Sequence, residues 1–260
     1  MAVISTFCKK GGVGKTTFIG YLGHYHAVHG KKVLIISVDD QNSIFKIFGE
    51  EDKIFESNDN YLEFLIAGHA ELGDVLIEVR ENLYLIKTLN TDKLSMKLTL
   101  ERNQEKVIKK IVQEYDNYFD YIFIDFPPSS SRLTEVLLDI SSTILIVVGL
   151  DSLGLGGFFN TIQYFIDNDI DIDGIKYIVP NGYSKNRRAP KISLEKLIEQ
   201  GREFTPGAIV LPALQDKSII KNLQAEGVSP FDTVKLERYD QNAKTILEKE
   251  LTSLFQKIEM

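Results

Sequence analysis

The chain has 260 residues, 43% of them hydrophobic and 26% charged, which is the balance of an ordinary globular protein within reach of a single α/β unit. Its formal net charge of −7 excludes a surface that binds nucleic acid everywhere and leaves only a local basic patch for that role. No apolar run approaches the ~20 residues of a membrane span, no signal-peptide pattern opens the chain, and the single cysteine excludes an internal disulfide and suits a reducing cytosol.

The apolar run from Ala2 to Cys8 predicts a first strand with Cys8 as an inert core thiol. Lys9-Lys10-Gly11-Gly12-Val13-Gly14-Lys15-Thr16-Thr17 follows, and then Phe18, Ile19, Leu22 and Tyr25 recur at helical spacing until Gly30. Strand, glycine-rich loop and helix in that order are the context of a phosphate-binding loop. The glycines let backbone N–H groups converge on an anion, and the helix N-terminus adds its positive dipole end. In such a loop Lys15 reaches the outer phosphates and the Thr16 hydroxyl serves Mg²⁺. His24, His26 and His29 have the wrong spacing for a shared metal on a helix and read as surface residues.

A continuous apolar run from Val33 to Val38 reads as a buried parallel strand. It ends in Asp39-Asp40-Gln41, at a strand's carboxyl end, where open α/β sheets place ligands. Short helices are expected at 43–48, 61–66 and 72–79, a strand at 82–86, and a charged amphipathic helix at 98–115. The next strand, 121–125, ends in Asp125 and runs into Phe126-Pro127-Pro128-Ser129. Further strands are expected at 143–148, 175–179 and 208–211, with helices near 153–167, 191–200, 216–225 and 239–257. This alternation predicts a doubly wound, mainly parallel α/β sheet flanked by helices, and the absence of repeats or linkers predicts one domain over 1–260.

The loop, Asp39, Asp125 and Asn181 thus converge at strand carboxyl ends. Mg²⁺ takes hard oxygen ligands and keeps several waters, so one carboxylate such as Asp125, acting through water, suffices beside Thr16. The usual phosphate-loop pattern has a glycine seven places before the threonine; here Lys9 stands there, and a further lysine, Lys10, lies beside the loop. In this the chain resembles the ParA/MinD family of deviant Walker A ATPases, P-loop NTPases marked by that additional lysine. The segment at 119–129 is similar to the family's D-x-P-P-S segment, with Asp125 as its acid.

The resemblance implies ATP and Mg²⁺ as cofactors, with Lys10, Gly11, Gly12, Val13, Gly14, Lys15, Thr16 and Thr17 on the nucleotide. It implies that Lys10 reaches across a nucleotide-sandwich homodimer to the partner's phosphates, and that slow hydrolysis dissolves the dimer. The family's switch segment, Asp-x-Asp-Pro-Gln, is here Ser37-Val38-Asp39-Asp40-Gln41. Asp39 maps onto the acid that orients or activates the attacking water; Ser37, in place of the other acid, brings no charge. Pro180-Asn181-Gly182 resembles the adenine-contacting segment, with Asn181 on the base, and Leu211-Pro212, followed by Asp216, the later base-edge segment with Pro212.

Among branches of the family, Cys8 alone cannot hold an iron–sulfur cluster, and neither paired cysteines nor a His-rich tract supports metal insertion. The tail lacks tyrosines, and the final helix is mixed in sign, as suits packing on its own domain better than binding acidic lipid. What remains resembles the ParA-type, Soj-like DNA partition ATPases, cytoplasmic and nucleoid-associated, stimulated by a ParB-like centromere-binding partner. Lys185, Arg187, Arg188, Lys191, Lys217 and Lys221 are the candidate contacts to non-specific DNA. The alternative is a MinD-like or scaffolding ATPase that positions a protein cargo or division site without touching DNA.

Overall fold

Strands that are mostly apolar and buried at nearly every position take the middle of the sheet, because helices cover both of its faces there. The computed structural model describes residues 3–56, 60–101, 103–151 and 153–259. β1 (Val3–Phe7) leads through the glycine loop into α1 (Lys15–Val28), and β2 (Val33–Ser37) into α2 (Ser43–Ile47), α3 (Asp52–Phe55) and α4 (Leu62–Ile66). β3 (Ile77–Arg80) and β4 (Leu83–Ile86) form a hairpin, followed by α5 (Thr91–Leu100), α6 (Gln104–Tyr115) and β5 (Tyr121–Asp125). Then come α7 (Arg132–Asp139), β6 (Thr143–Gly149), α8 (Gly154–Asp167), β7 (Ile175–Tyr183) and α9 (Arg188–Phe204). Two short strands, β8 (Ile209–Val210) and β9 (Leu214–Gln215), precede α10 (Ser218–Ala225) and α11 (Arg238–Phe255).

The strand order is β3-β4-β2-β5-β1-β6-β7-β8, with β9 on the far end of β7; β3 pairs antiparallel and the other described pairs are parallel. The chain winds outward from β1 in both directions, so the carboxyl end of β1 is a topological switch point, where a doubly wound sheet opens a crevice. Among the described residues no helix is long and apolar enough to cross a membrane.

Four expectations need correction. The expected helix at 72–79 is not formed, and its end joins Arg80 in an edge strand over 77–80: Ile77 and Val79 point inward while Glu78 faces out, and Asn82, at φ 62°, makes the tight turn to β4. The expected helix at 98–115 is two helices, the first beginning at Thr91 under an Asn90 side chain that accepts from the Lys93 N–H. The helix α7 was not expected; Ser131 caps it by accepting from the Thr134 N–H, a signal that the preceding prolines obscured.

Finally, His24 is a core residue, only 3% exposed. Helix α1 is apolar nearly all round because the sheet lies on one side and α2 and α11 on the other. The His24 Nδ1 lies 2.7 Å from Ser229 Oγ, and burial pushes the ring down to about 4 against the pull of Asp232. His26 is half-buried against Tyr121 and Phe123 and is likewise pushed to about 4 by burial. Of these three only His29 is at the surface, where its Nδ1–H donates to the Tyr25 carbonyl.

Candidate nucleotide-binding site

The loop between β1 and α1 owes its shape to glycine. Gly12 and Gly14 adopt φ values of 71° and 95°, which side chains resist. Gly14 is also the N-cap of α1, and a Cβ there would lie 2.5 Å from Asn181 Nδ2. No side chain caps the helix, so its first-turn N–H groups face the crevice as an anion cradle. Lys15 is 6% exposed, with its Nζ 3.4 Å from the Cys8 carbonyl and 3.3 Å from that of Lys10. Burial lowers its proton affinity, while Asp125 and Asp39 are among the charges that oppose this.

Asp125 is paired in register with Thr6 on one side and Ser37 on the other, at the end of the innermost strands. Thr16 Oγ1 donates to its Oδ1 at 3.1 Å, and its Oδ2 is buried with no partner. Burial pushes the carboxyl up to about 7; Thr16 and Lys15 pull against this and Asp39 adds to it. A hydroxyl and a carboxylate oxygen left half-satisfied beside a cradle of N–H groups are the donor set of a hard divalent cation with phosphate, so these residues fit Mg²⁺. Asp39 stands on the neighbouring loop, half-exposed, its Oδ1 accepting from the Gln41 N–H at 3.0 Å. Asp40 is exposed and pairs with Gln41 Nε2.

The two lysines before the loop turn away from it. Lys9 Nζ donates to Ser130 Oγ at 2.7 Å and lies over the Tyr164 ring. Lys10 Nζ sits 2.6 and 2.7 Å from the two oxygens of Asp151, and that contact holds the Asp151 carboxyl below its usual range. Gly157 makes room for this, since a Cβ there would approach the Lys10 Cβ to 2.8 Å.

Beyond the loop opens a cavity of about 610 Å³, walled by Thr17, Phe18 and Tyr21 of α1, Leu150, Asn181, the start of α9, and residues of α10 and α11. Asn181 reaches it with its Nδ2 donating to the Val13 carbonyl at 2.8 Å, so its amide braces the loop itself. Pro212 is exposed and outside the cavity lining; Leu214, Gln215 and Asp216 form that wall instead. Gln224, whose amide donates to Thr17 Oγ1 at 2.8 Å, and Leu247 and Leu251 were not expected here. Their only local signal was the amphipathic period of the helices.

The six basic candidates separate into two groups. Arg187, Lys217 and Lys221 line the cavity; Arg187 lies 3.8 Å from Asp216, and Lys217, with a side chain 17% exposed, is 2.6 Å from Glu250. That places Lys217 poorly for an external partner. Lys185, Arg188 and Lys191 are exposed, and among the described residues they form no ion pair.

The family description "AAA domain" matches residues 1–173. The chromosome-partitioning ATPase Soj of Treponema pallidum is 31% identical over 157 residues, a match spanning 60% of each chain. The maintenance of carboxysome distribution protein A of Synechococcus elongatus is 25% identical over 233 residues, or 88% of this chain and 91% of that one. The structure of a Cyanothece McdA–ATP complex superposes with a TM-score of 0.79 at 19% identity, covering all of this chain and 98% of the other, which is a likeness of fold. With the deviant glycine loop on β1, the switch-point crevice and the family match across its first two thirds, this chain belongs to the AAA domain family, among its ParA/MinD-type P-loop ATPases.

Proposed function

We propose that the chain is a slow, switch-type ATPase of DNA partition, one domain over 1–260, whose ATP-bound homodimer binds DNA without sequence preference. The observation that carries this reading is the position of the basic run at the start of α9. Arg187, exposed like Lys185, Arg188 and Lys191 on the same stretch, also lines the mouth of the nucleotide cavity. One short segment thus touches both the nucleotide pocket and the outside, so occupancy of the first can set the presentation of the second.

Phosphoryl transfer is chiefly positioning and charge neutralisation. The glycine loop and Lys15 hold the outer phosphates, Thr16 and Asp125 hold Mg²⁺, and Asp39 orients the attacking water. Bound Mg²⁺ supplies positive charge beside the phosphates. Lys10, parked on Asp151 at the surface, is free to exchange that partner for a second subunit's nucleotide at small cost, since a solvent-exposed pair is worth about 0–1 kcal/mol. A ParB-like protein would reset the dimer by stimulating hydrolysis.

The second reading, a cytoplasmic ATPase that positions a protein cargo, is favoured by the long match to the carboxysome distribution protein. DNA binding with ADP, ATP and a non-hydrolysable analogue across a salt series decides between them. Partition predicts ATP-dependent affinity that falls steeply with salt as counterions are released. Arg188→Glu with Lys191→Glu weakens it for every sequence alike. Absence of nucleotide-dependent binding at low salt assigns the chain to cargo positioning.

A further inference from the structure

The segment between β2 and α2 carries Asp39, and its backbone is held in an unusual way. Four consecutive carbonyls, from residues 37 to 40, each accept from a side-chain donor. Thr88 Oγ1 donates to the Ser37 carbonyl at 2.6 Å, and Thr91 Oγ1 to that of Val38 at 2.7 Å. Ser37 Oγ donates to the Asp39 carbonyl at 3.1 Å, and Asn42 Nδ2 to that of Asp40 at 3.2 Å. Asn42 and Thr88 are themselves locked together: Asn42 Nδ2 donates to the Thr88 carbonyl at 2.8 Å, and the Thr88 N–H to Asn42 Oδ1 at 3.1 Å.

The donors are buried. Ser37 and Thr88 are 0% exposed, Asn42 1% and Thr91 7%. Asn42 holds φ 47°, a left-handed conformation that Asn tolerates and most residues resist. A strand-to-helix turn at the carboxyl end of a sheet ordinarily satisfies its carbonyls with water or its own amides. Here two of the four carbonyls are held by the Thr88 and Thr91 hydroxyls, 51 and 53 residues downstream, and the other two by the turn's own Ser37 hydroxyl and Asn42 amide. The backbone of the turn is fixed at each step, and the side chains of Asp39 and Asp40 are what remains outside the lock.

We infer that Thr88, Thr91 and Asn42, with Ser37, are positioning residues that fix Asp39 for hydrolysis. The inference rests on the reading in which Asp39 orients the attacking water. It gives Ser37 a role of its own: the hydroxyl standing where the family has an acid ties the turn to itself instead of bringing charge. Orientation of a reacting group is worth large factors, and a displacement of about 1 Å can cost about 100-fold in rate.

The test is single-turnover ATP hydrolysis together with ATP affinity. Thr88→Val keeps shape and removes the donor; it should slow hydrolysis about 10- to 100-fold while leaving ATP affinity unchanged, and Thr88→Ser should restore the rate. In an Asp39→Ala background Thr88→Val should cost nothing further, because the two act in series. If Thr88→Val does not fold, Asn42→Gly carries the test, since glycine accepts the left-handed turn and lacks the amide. Wild-type hydrolysis in a folded Thr88→Val or Asn42→Gly protein overturns the inference, as does an equal loss of affinity and rate. Wild-type hydrolysis in Asp39→Ala removes the underlying reading and the positioning role with it, whereas a dead Asp39→Ala beside a normal Thr88→Val sinks the positioning role alone.

Discussion

Two carboxylates buried at opposite ends of α1 have opposite fates. Asp232 is 10% exposed in its side chain and fully engaged: Arg80 grips both oxygens at 2.7 and 3.0 Å, and the Ser229 N–H donates at 2.7 Å. Burial acts to raise its proton affinity, but the Arg80 contacts and the Ser229 N–H override it and hold the group below the usual range. Asp125, 1% exposed, has one hydroxyl donor and an orphaned oxygen, and burial pushes it up to about 7. A fold that can satisfy one buried carboxylate so completely leaves the other unsatisfied where the phosphate loop begins. In the proposed reading, the difference separates a structural charge from one kept for a ligand.

Breaking the satisfied end should have the largest effect. Arg80→Ala leaves Asp232 buried and unpaired, and also releases the carbonyls of Phe48 and Gly227. We expect a loss of about 3–5 kcal/mol in urea unfolding, with ATP affinity of the folded fraction retained. Unchanged stability would show that solvent reaches Asp232.

The neighbouring histidine gives the pH signature. His24 is neutral in the fold with its proton affinity near 4 against 6.5 unfolded, so the unfolded chain takes up the proton first as pH falls. Stability should therefore be unaffected by His24 above pH 6.5 and drop by up to about 3 kcal/mol between there and pH 4. His24→Asn, which keeps a donor toward Ser229, should flatten that part of the curve; an unaltered pH profile would assign the acid sensitivity elsewhere.

At the unsatisfied end the sign inverts. Asp125→Asn removes a buried charge, and without nucleotide it should raise stability at pH 8 by about 1–3 kcal/mol. Because the wild-type carboxyl is protonated in the fold below about 7 while the unfolded group titrates near 3.8, this advantage should shrink as pH falls through that window. Adding Mg²⁺ and ATP should reverse the order, stabilising the wild type alone. A less stable Asp125→Asn protein at pH 8 would mark Asp125 as structural after all.

The smallest effect belongs to a third carboxylate, Asp151, 63% exposed and paired with Lys10. Asp151→Asn should cost less than about 1 kcal/mol, since exposed pairs contribute little. Its readout is assembly: light scattering with a non-hydrolysable analogue should show dimerisation at lower protein concentration once Lys10 is released. Weaker dimerisation would mean that Asp151 itself serves the interface.

Much of this site lies in contiguous residues. The loop from Lys9 to Thr17, the apolar runs of β1, β2 and β5, and the acids that end two of them are local patterns, because glycine's freedom and strand periodicity are properties of neighbours in the chain. The alternation of strands and helices then dictated a doubly wound sheet and put its ligand end at the strands' carboxyl termini.

The tertiary structure alone decided the partners. Arg80 meets Asp232 across 152 residues, Lys10 meets Asp151 across 141, Gln224 meets Thr17 across 207, and Thr88 clamps Ser37 across 51. None of these pairs leaves a periodic trace, since each depends on which strands become neighbours and how α10 and α11 close over α1. The same cause buried His24, because α2 and α11 cover the face of α1 that the sheet leaves free. It also turned the 77–80 stretch into an edge strand, where pairing with β4 outweighed a helical spacing of apolar residues. Residue type and spacing determine what a segment can do; long-range closure determines what it meets.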